Sequence, residues 1–386
     1  MAAARSLRAW SWLHTWSSLV CTLFILLQCL TGLPLIFHDE IERLSGDAVA
    51  APALRNGGAP MISGADATAT ADAVLRAARE RHPELMLQHA AVDPRNAWLW
   101  QVTLAPTPAA TDGARVVMVD GRTAHVLRDA ASHPGWMGGL RRLHADLYAD
   151  LPGQLFLALM GLLLVVAIIS GVVLYAPFMR RLDFGTVRRG RSPRLQWLDL
   201  HNLLGIGTLV WALAVAATGV VNTGAGLLLS HWQRTEVAER LAAYRGQPPV
   251  PEDQRAPLQA VLAAAQAQAP GRRLAFAAFP GTAYSSPYHV TCYLNGDDPL
   301  ASRLPRPVLV DARTAAVTAS LELPWYLKVA LLARPLHVAG DGALPLKLLW
   351  ALLDMATIVV LGSGLYLWLG RRTGLPQEPA PRGRSG

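Results

Sequence analysis

The chain has 386 residues, 52% hydrophobic and only 16% charged, a balance too apolar for an ordinary soluble protein and suited to membrane spans with extramembrane domains. Its formal charge of +8 sits in arginine clusters beside apolar runs and reads as topology; no zinc-finger spacing, basic helix or aromatic RNA-binding motif points to a nucleic-acid partner. Three cysteines, Cys21, Cys29 and Cys292, exclude a disulfide framework, and the lack of Cys-x-x-Cys and Cys-x-x-Cys-His excludes thioredoxin-type redox chemistry, iron–sulfur ligation and covalent haem attachment.

In chain order, the first expected element is a transmembrane helix within 1–38. Arg5 and Arg8 precede it, and Thr15 to Phe37 carries no charge, which is too long for a signal-peptide core and long enough to span. An α+β segment follows over 39–138. A second transmembrane helix with an outer extension covers 139–179, uncharged from Leu151 to Met179. The loop at 180–196 is basic, with Arg180, Arg181, Arg188, Arg189, Arg191 and Arg194 against Asp183. A third transmembrane helix occupies 197–230 and a second α+β segment 231–335. A fourth helix with an outer extension covers 336–370, interrupted by Lys347 and Asp354, and 371–386 forms a tail. The positive-inside rule puts both termini and the basic loop in the cytoplasm, with the two α+β segments in the periplasm of a bacterial inner membrane.

The halves repeat each other. LHTWSSLVCTLFILLQCLTG (13–32) and LHNLLGIGTLVWALAVAATG (200–219) both open on Leu-His and close on Thr-Gly. DAVLRAARERHPE (72–84) matches QAVLAAAQAQAPG (259–271) as a helix ending at proline, and VMVDGRTAHV (117–126) matches VLVDARTAAV (308–317) as strand, turn, strand. AWLWQVTL (97–104) and YHVTCYL (288–294) supply further strands. His144 and His337 are both followed by Leu-Pro at +7 and +8 and by Ser-Gly at +26 and +27. The expected fold is a membrane α-helical protein of four transmembrane helices in two pseudo-symmetric halves, each with an extramembrane α+β domain, related by an axis along the membrane normal.

Duplication gives the histidines meaning. His14 and His201 are equivalents at the cytoplasmic ends of the first and third helices; His144 and His337 are equivalents just outside the second and fourth. Each pair can converge on the central axis, where two facing imidazoles suit a six-coordinate haem iron. Two pairs accommodate up to two b-type haems, one near each surface. The competing reading is that each is an interfacial, water-contacting histidine. His38 and His231, at the outer helix ends, are lesser candidates as ligands, while His82, His89, His125, His133 and His289 read as domain or surface residues. Gly32, Gly171, Gly219 and Gly364 fit either plain helix packing or close approach of a flat macrocycle. Asp354, a carboxyl within a spanning helix, calls for a polar partner or a proton route, with Asn222 or Thr218 as the expected partner.

On TGLPLIFHDEI (31–41), LPGQLFLALMGLLLVVAIISGVVLYAPFMRRLDFG (151–185), WLDLHNLLGIGTLVWALAVAATG (197–219) and LPLKLLWALLDMATIVVLGSGLYLW (344–368), nearly the whole chain resembles the PepSY-associated transmembrane helix family. VVMVDGRTAHVL looks like the strand-turn-strand of a PepSY domain. The resemblance is to inner-membrane reductases that bind two haems and reduce Fe(III) in imported ferric siderophores. It implies His14, His144, His201 and His337 as axial haem ligands, a ferric siderophore and membrane lipid as partners, and an electron donor that is a quinol or a cytoplasmic reductase, since no dinucleotide fingerprint is present. The two outer segments would dock the chelate, with Trp98, Trp100, Trp136, Tyr284, Tyr288, Tyr326 and Arg334 as lining residues. The alternative is a non-enzymatic membrane-anchored module in which PepSY-like domains bind or sense peptides or proteases.

Overall fold

The computed structural model describes residues 2–44, 69–94, 96–131, 135–179, 185–188, 191–339 and 342–372. His133, Arg180, Arg181, Asp183, Arg189 and nearly all of the expected tail lie outside the described residues. In chain order the helices are α1 (Ala2–Ile36), α2 (His38–Leu44), α3 (Ala71–Arg81), α4 (Gly135–Asp146), α5 (Asp150–Met179), α6 (Pro193–Trp232), α7 (Ala238–Arg240), α8 (Leu258–Gln268), α9 (Trp325–His337) and α10 (Leu344–Arg372). The strands are β1 (Met86–Asp93), β2 (Asn96–Ala105), β3 (Arg115–Asp120), β4 (Val126–Ala131), β5 (Arg273–Ala278), β6 (His289–Asn295), β7 (Arg306–Asp311) and β8 (Val317–Ser320).

The chain divides into two compact units, one drawn from 1–38, 140–223 and 333–386, the other from 39–139 and 224–332. The first unit is helical. Among the described residues, four stretches are long and apolar enough to cross a membrane: Arg5–Ile36, Asp150–Pro177, Pro193–Arg240 and Leu344–Gly370. Large apolar side chains such as Leu23, Val210 and Leu352 point outward, as expected where the solvent is lipid rather than water. Between the helices, Cys21, Ile25, Cys29, Met160 and Leu361 are buried, and Phe24 meets Phe156 edge to face at 4.7 Å. These are the features of a membrane-embedded protein with an extramembrane domain.

The second unit holds one eight-stranded antiparallel sheet of order β4-β3-β2-β1-β5-β6-β7-β8. Each half of the chain contributes four consecutive strands. The halves join through β1 and β5, where His89 pairs with Ala278, Ala90 with Ala277 and Ala91 with Phe276. The two α+β segments therefore share a continuous sheet, which closes two strand edges that would otherwise be open. Helices α3 and α8 supply Val74, Ala78, Val261 and Ala265 to a core that includes Val102, Val117, Cys292, Val308 and Val310. They also cap one another. Asp72 of α3 accepts from the Leu258 and Gln259 amides at 2.6 and 3.2 Å, while Gln259 Oε1 accepts from the Ala71 amide at 3.1 Å. Because α8 is preceded by Pro257, which has no side-chain cap, this reciprocal contact satisfies amides that its own sequence leaves open.

The repeated strand-turn-strand motifs close on their aspartates. Asp120 accepts from the Arg122 amide at 2.9 Å and from its guanidinium at 2.6 and 3.0 Å. Asp311 accepts from the Arg313 and Thr314 amides, both at 2.9 Å, and from the Tyr244 hydroxyl at 2.8 Å. Both turns then place an alanine in the left-handed region, Ala124 and Ala315, each at φ 56°.

Candidate functional site

All four duplicated histidines belong to the helical unit, and each is held by the same device on a neighbouring helix. His14 of α1 donates from Nδ1 to the Ala167 carbonyl of α5 at 2.9 Å, with Ser170 Oγ at 3.3 Å. His144, at the end of α4, is hydrogen-bonded to the Gln28 carbonyl of α1, with Thr31 Oγ1 2.9 Å from its Nδ1. The second half repeats both contacts. His201 of α6 meets the Val360 carbonyl at 3.0 Å and Ser363 Oγ at 3.1 Å on α10. His337, at the end of α9, meets the Val215 carbonyl at 3.0 Å and Thr218 Oγ1 at 3.5 Å on α6.

Each cradle follows one local rule. A carbonyl at position i accepts the bond, a serine or threonine stands at i+3 and a glycine at i+4: Gln28-Thr31-Gly32, Ala167-Ser170-Gly171, Val215-Thr218-Gly219 and Val360-Ser363-Gly364. Positions i, i+3 and i+4 share one helix face, so all three address the same imidazole. The hydroxyl turns back onto its own helix, Ser170 to Val166 O at 2.7 Å and Thr218 to Ala214 O at 2.6 Å. The glycine makes room for the ring. A Cβ added at Gly32, Gly171, Gly219 or Gly364 would stand 3.2, 3.2, 3.1 or 3.3 Å from the Cε1 of His144, His14, His337 or His201. The Thr-Gly and Ser-Gly repeats are therefore the seats of the histidines.

A carbonyl cannot donate, so the facing Nδ1 of His14, His201 and His337 must carry the proton, and in the neutral ring Nε2 keeps its lone pair. Thr31 Oγ1 already donates to the Leu27 carbonyl at 2.8 Å, so it accepts from Nδ1 of His144 with the same consequence. Burial keeps the outer pair neutral. It pushes His144 down to about 4, aided by the proximity of the second imidazole, His337, and His337 is likewise held below the usual histidine range by burial. The rings of His144 and His337 have centres 6.3 Å apart with planes tilted by 55°. His14 and His201 lie within electrostatic range of one another. The arrangement offers unprotonated imidazole nitrogens whose tautomer and orientation are fixed by backbone carbonyls, the usual support of a metal-binding histidine.

The other candidates stand elsewhere. His38 opens α2, and His231 ends α6 with its ring 6.2 Å from that of Tyr326; neither shares a cradle. Asp354 is buried, and its partner is the Cys29 thiol rather than Asn222 or Thr218. Thr218 is committed to its own helix and to His337. Trp100 is part of the sheet core, which removes it from any docking surface. His289 is fully buried between Ser286 and Thr318 at 2.7 and 2.9 Å, a structural role. No cluster of three or more metal-binding side chains occurs among the described residues.

The spanning helices, the extramembrane sheet and the cradled histidines define a membrane protein whose polar machinery is built into its helix contacts. Residues 11–371 match the PepSY-associated TM region, and the chain belongs to that family. An uncharacterized protein of Pseudomonas aeruginosa is 29% identical over 257 residues, which cover 61% of this chain and 64% of that protein. The chain thus spans just under two thirds of the length of the relative it matches.

Proposed function

We propose that the protein is a haem-dependent reductase of the bacterial inner membrane that passes electrons to Fe(III) in a ferric siderophore on the outer side and releases Fe(II). The outer histidine pair carries this reading. The rings of His144 and His337 have centres 6.3 Å apart, close enough for the two imidazoles to hold one haem iron between them. The donor chemistry fits as well, since neutral imidazole with its Nδ1–H bonded to a carbonyl is a good axial ligand for haem iron.

His144 and His337 would hold one b-type haem and His14 and His201 a second, placing one near each membrane surface about a pseudo-twofold axis. When bound, haem supplies a one-electron Fe(III)/Fe(II) couple. The chain's own residues do the rest. The carbonyls on His14, His201 and His337 and the Thr31 hydroxyl on His144 would hold each imidazole in its ligating tautomer, and the four glycines let the rings lie against the helices. Burial excludes water and would keep His144 unprotonated and able to hold the metal. Arg5, Arg8, Arg191 and Arg194 favour cytoplasmic placement of the helix ends that bear His14 and His201. The electron enters there from a quinol or a cytoplasmic reductase. Siderophores hold Fe(III) through hard oxygen donors that bind Fe(II) far less tightly, so one electron frees the metal without breaking the chelator.

The test is the absorption spectrum of the purified protein. A Soret band that sharpens and shifts on anaerobic reduction, and reverts on adding a ferric hydroxamate, is expected. Colourless protein carrying no haem would sink the reductase and leave a membrane-anchored binding module.

A further inference from the structure

The two halves differ in kind at one buried contact. On α5, Gly161 faces α6: a Cβ there would stand 3.0 Å from Val220 Cγ2 and 3.7 Å from the Ala216 carbonyl. Counted from the outer histidines, Asp354 of α10 holds the place of Gly161. Counted from the inner histidines, Cys29 of α1 holds the place of Ala216. These two side chains meet, the Cys29 thiol hydrogen-bonding the Asp354 carboxyl. Asp354 is only 6% exposed, and its Oδ2 has no partner among the described residues.

Glycine and alanine satisfy the packing in the sister contact, so the helix interface itself requires neither a carboxyl nor a thiol. A half-satisfied carboxyl inside a spanning helix costs several kcal/mol relative to an apolar side chain, which points to a use. Its location supplies one. Cys29 directly follows Gln28, whose carbonyl seats His144, so Asp354 lies next to the support of the outer pair without being one of the hydrogen-bond partners of either imidazole. Among the described residues, Cys21 lies two turns from Cys29 on α1, Lys347 lies buried two turns from Asp354 on α10, and His201 of α6 is seated on Val360, about two turns from Asp354 in the other direction.

We propose that Asp354 is the proton-accepting group of the outer redox centre, gaining one proton as one electron arrives there and losing it when that electron leaves for the ferric chelate. This rests on the haem reading above. With haem bound, a reduced quinol or reductase would supply one electron to the outer centre while Asp354 took one proton from water, forming an O–H bond at its carboxylate and leaving hydroxide. When that electron passed on to the chelated Fe(III), the O–H bond would break and the proton would return to hydroxide as water. An added negative charge nearby in a low-dielectric interior favours the neutral carboxyl, and by linkage the ionised carboxylate opposes electron entry.

The test is a mediated spectroelectrochemical titration of the haem-loaded, full-length protein across a pH series, with His144→Ala protein used to tell the two centres apart. The outer potential is expected to fall as pH rises, while Asp354→Asn holds it near the acid-limb value at every pH and leaves the inner centre unchanged. Infrared difference spectra on reduction should show a carboxyl C=O band that Asp354→Asn removes. Should that variant fail to fold, Asp354→Gly combined with Cys29→Ala copies the sister contact and carries the same comparison. A pH-independent outer potential in the unaltered protein, or a slope that survives both variants, overturns the role of Asp354 and leaves the haem reading intact. Protein without haem overturns both.

Discussion

Where Nδ1 points sets the four histidines apart from His82 and His289. His82 is bound to Asp129 at 2.7 Å and His289 is tied to Ser286 and Thr318, whereas His14, His201 and His337 turn Nδ1 to a backbone carbonyl on a neighbouring helix and His144 turns it to the Thr31 hydroxyl on α1. The matching glycines make this sharply testable. Gly219→Ala would press a methyl group to 3.1 Å from His337 Cε1, closer than the ring tolerates without moving. We expect this variant to keep its helices but lose the outer haem signal several-fold, read as absorbance per protein, whereas Gly226→Ala, with open space at that position, should not. The sequence displayed the Thr-Gly and Ser-Gly doublets but not their purpose. The ring each one seats comes from 113 to 162 residues away along the chain, and no local pattern encodes such a meeting. The partner of Asp354 was hidden for the same reason, since Cys29 belongs to a helix at the other end of the chain.

Among the elements, the spanning helices were the most legible, because a long uncharged run in a polar chain has few other fates. The structure extends them: the third was expected over 197–230, and α6 runs Pro193–Trp232. Strands β2, β3, β6 and β7 followed from alternation and turn residues. The central strands β1 and β5 did not, since MLQHAAVD and RLAFAA are rich in alanine and poor in β-branched residues, and their pairing depends on shape across the join rather than on propensity. The turns carry a stored cost that can be recovered. Ala124 and Ala315 sit at φ 56°, where an L-residue with a Cβ costs roughly 1–2 kcal/mol. Allowing for the entropy of glycine in the unfolded chain, Ala124→Gly and Ala315→Gly should each stabilise the sheet by about 0.5–1 kcal/mol, measured by denaturant unfolding. The aspartates of these turns also predict acid sensitivity. Asp120 is held below the ordinary carboxylate range, chiefly by the hydrogen bond from the Arg122 side chain. Its stabilisation is therefore fully present above the unfolded value near pH 4 and is lost as pH falls through the depressed folded value. Asp120→Asn should lower stability at neutral pH and flatten the acid limb of the unfolding curve; an unchanged limb would contradict the assignment.

For the molecule as a whole, the contacts made by the repeated motifs can be set side by side: each half carries two cradles, and the second and third helices meet through Gly161 and Ala216 while the first and fourth meet through Asp354 and Cys29. The joining of eight strands into one sheet was not legible, because it is made by β1 and β5, the two strands whose sequences carry the weakest strand signal. The proposed function places all of its chemistry in the helical unit and leaves recognition of the chelate to the sheet unit and the helix ends. Haem content decides whether that division is right. Haem-to-protein ratio, measured on the purified full-length protein and on His144→Ala, should be two per chain in the first and one in the second; an unchanged ratio in His144→Ala, or no haem in either, would contradict it.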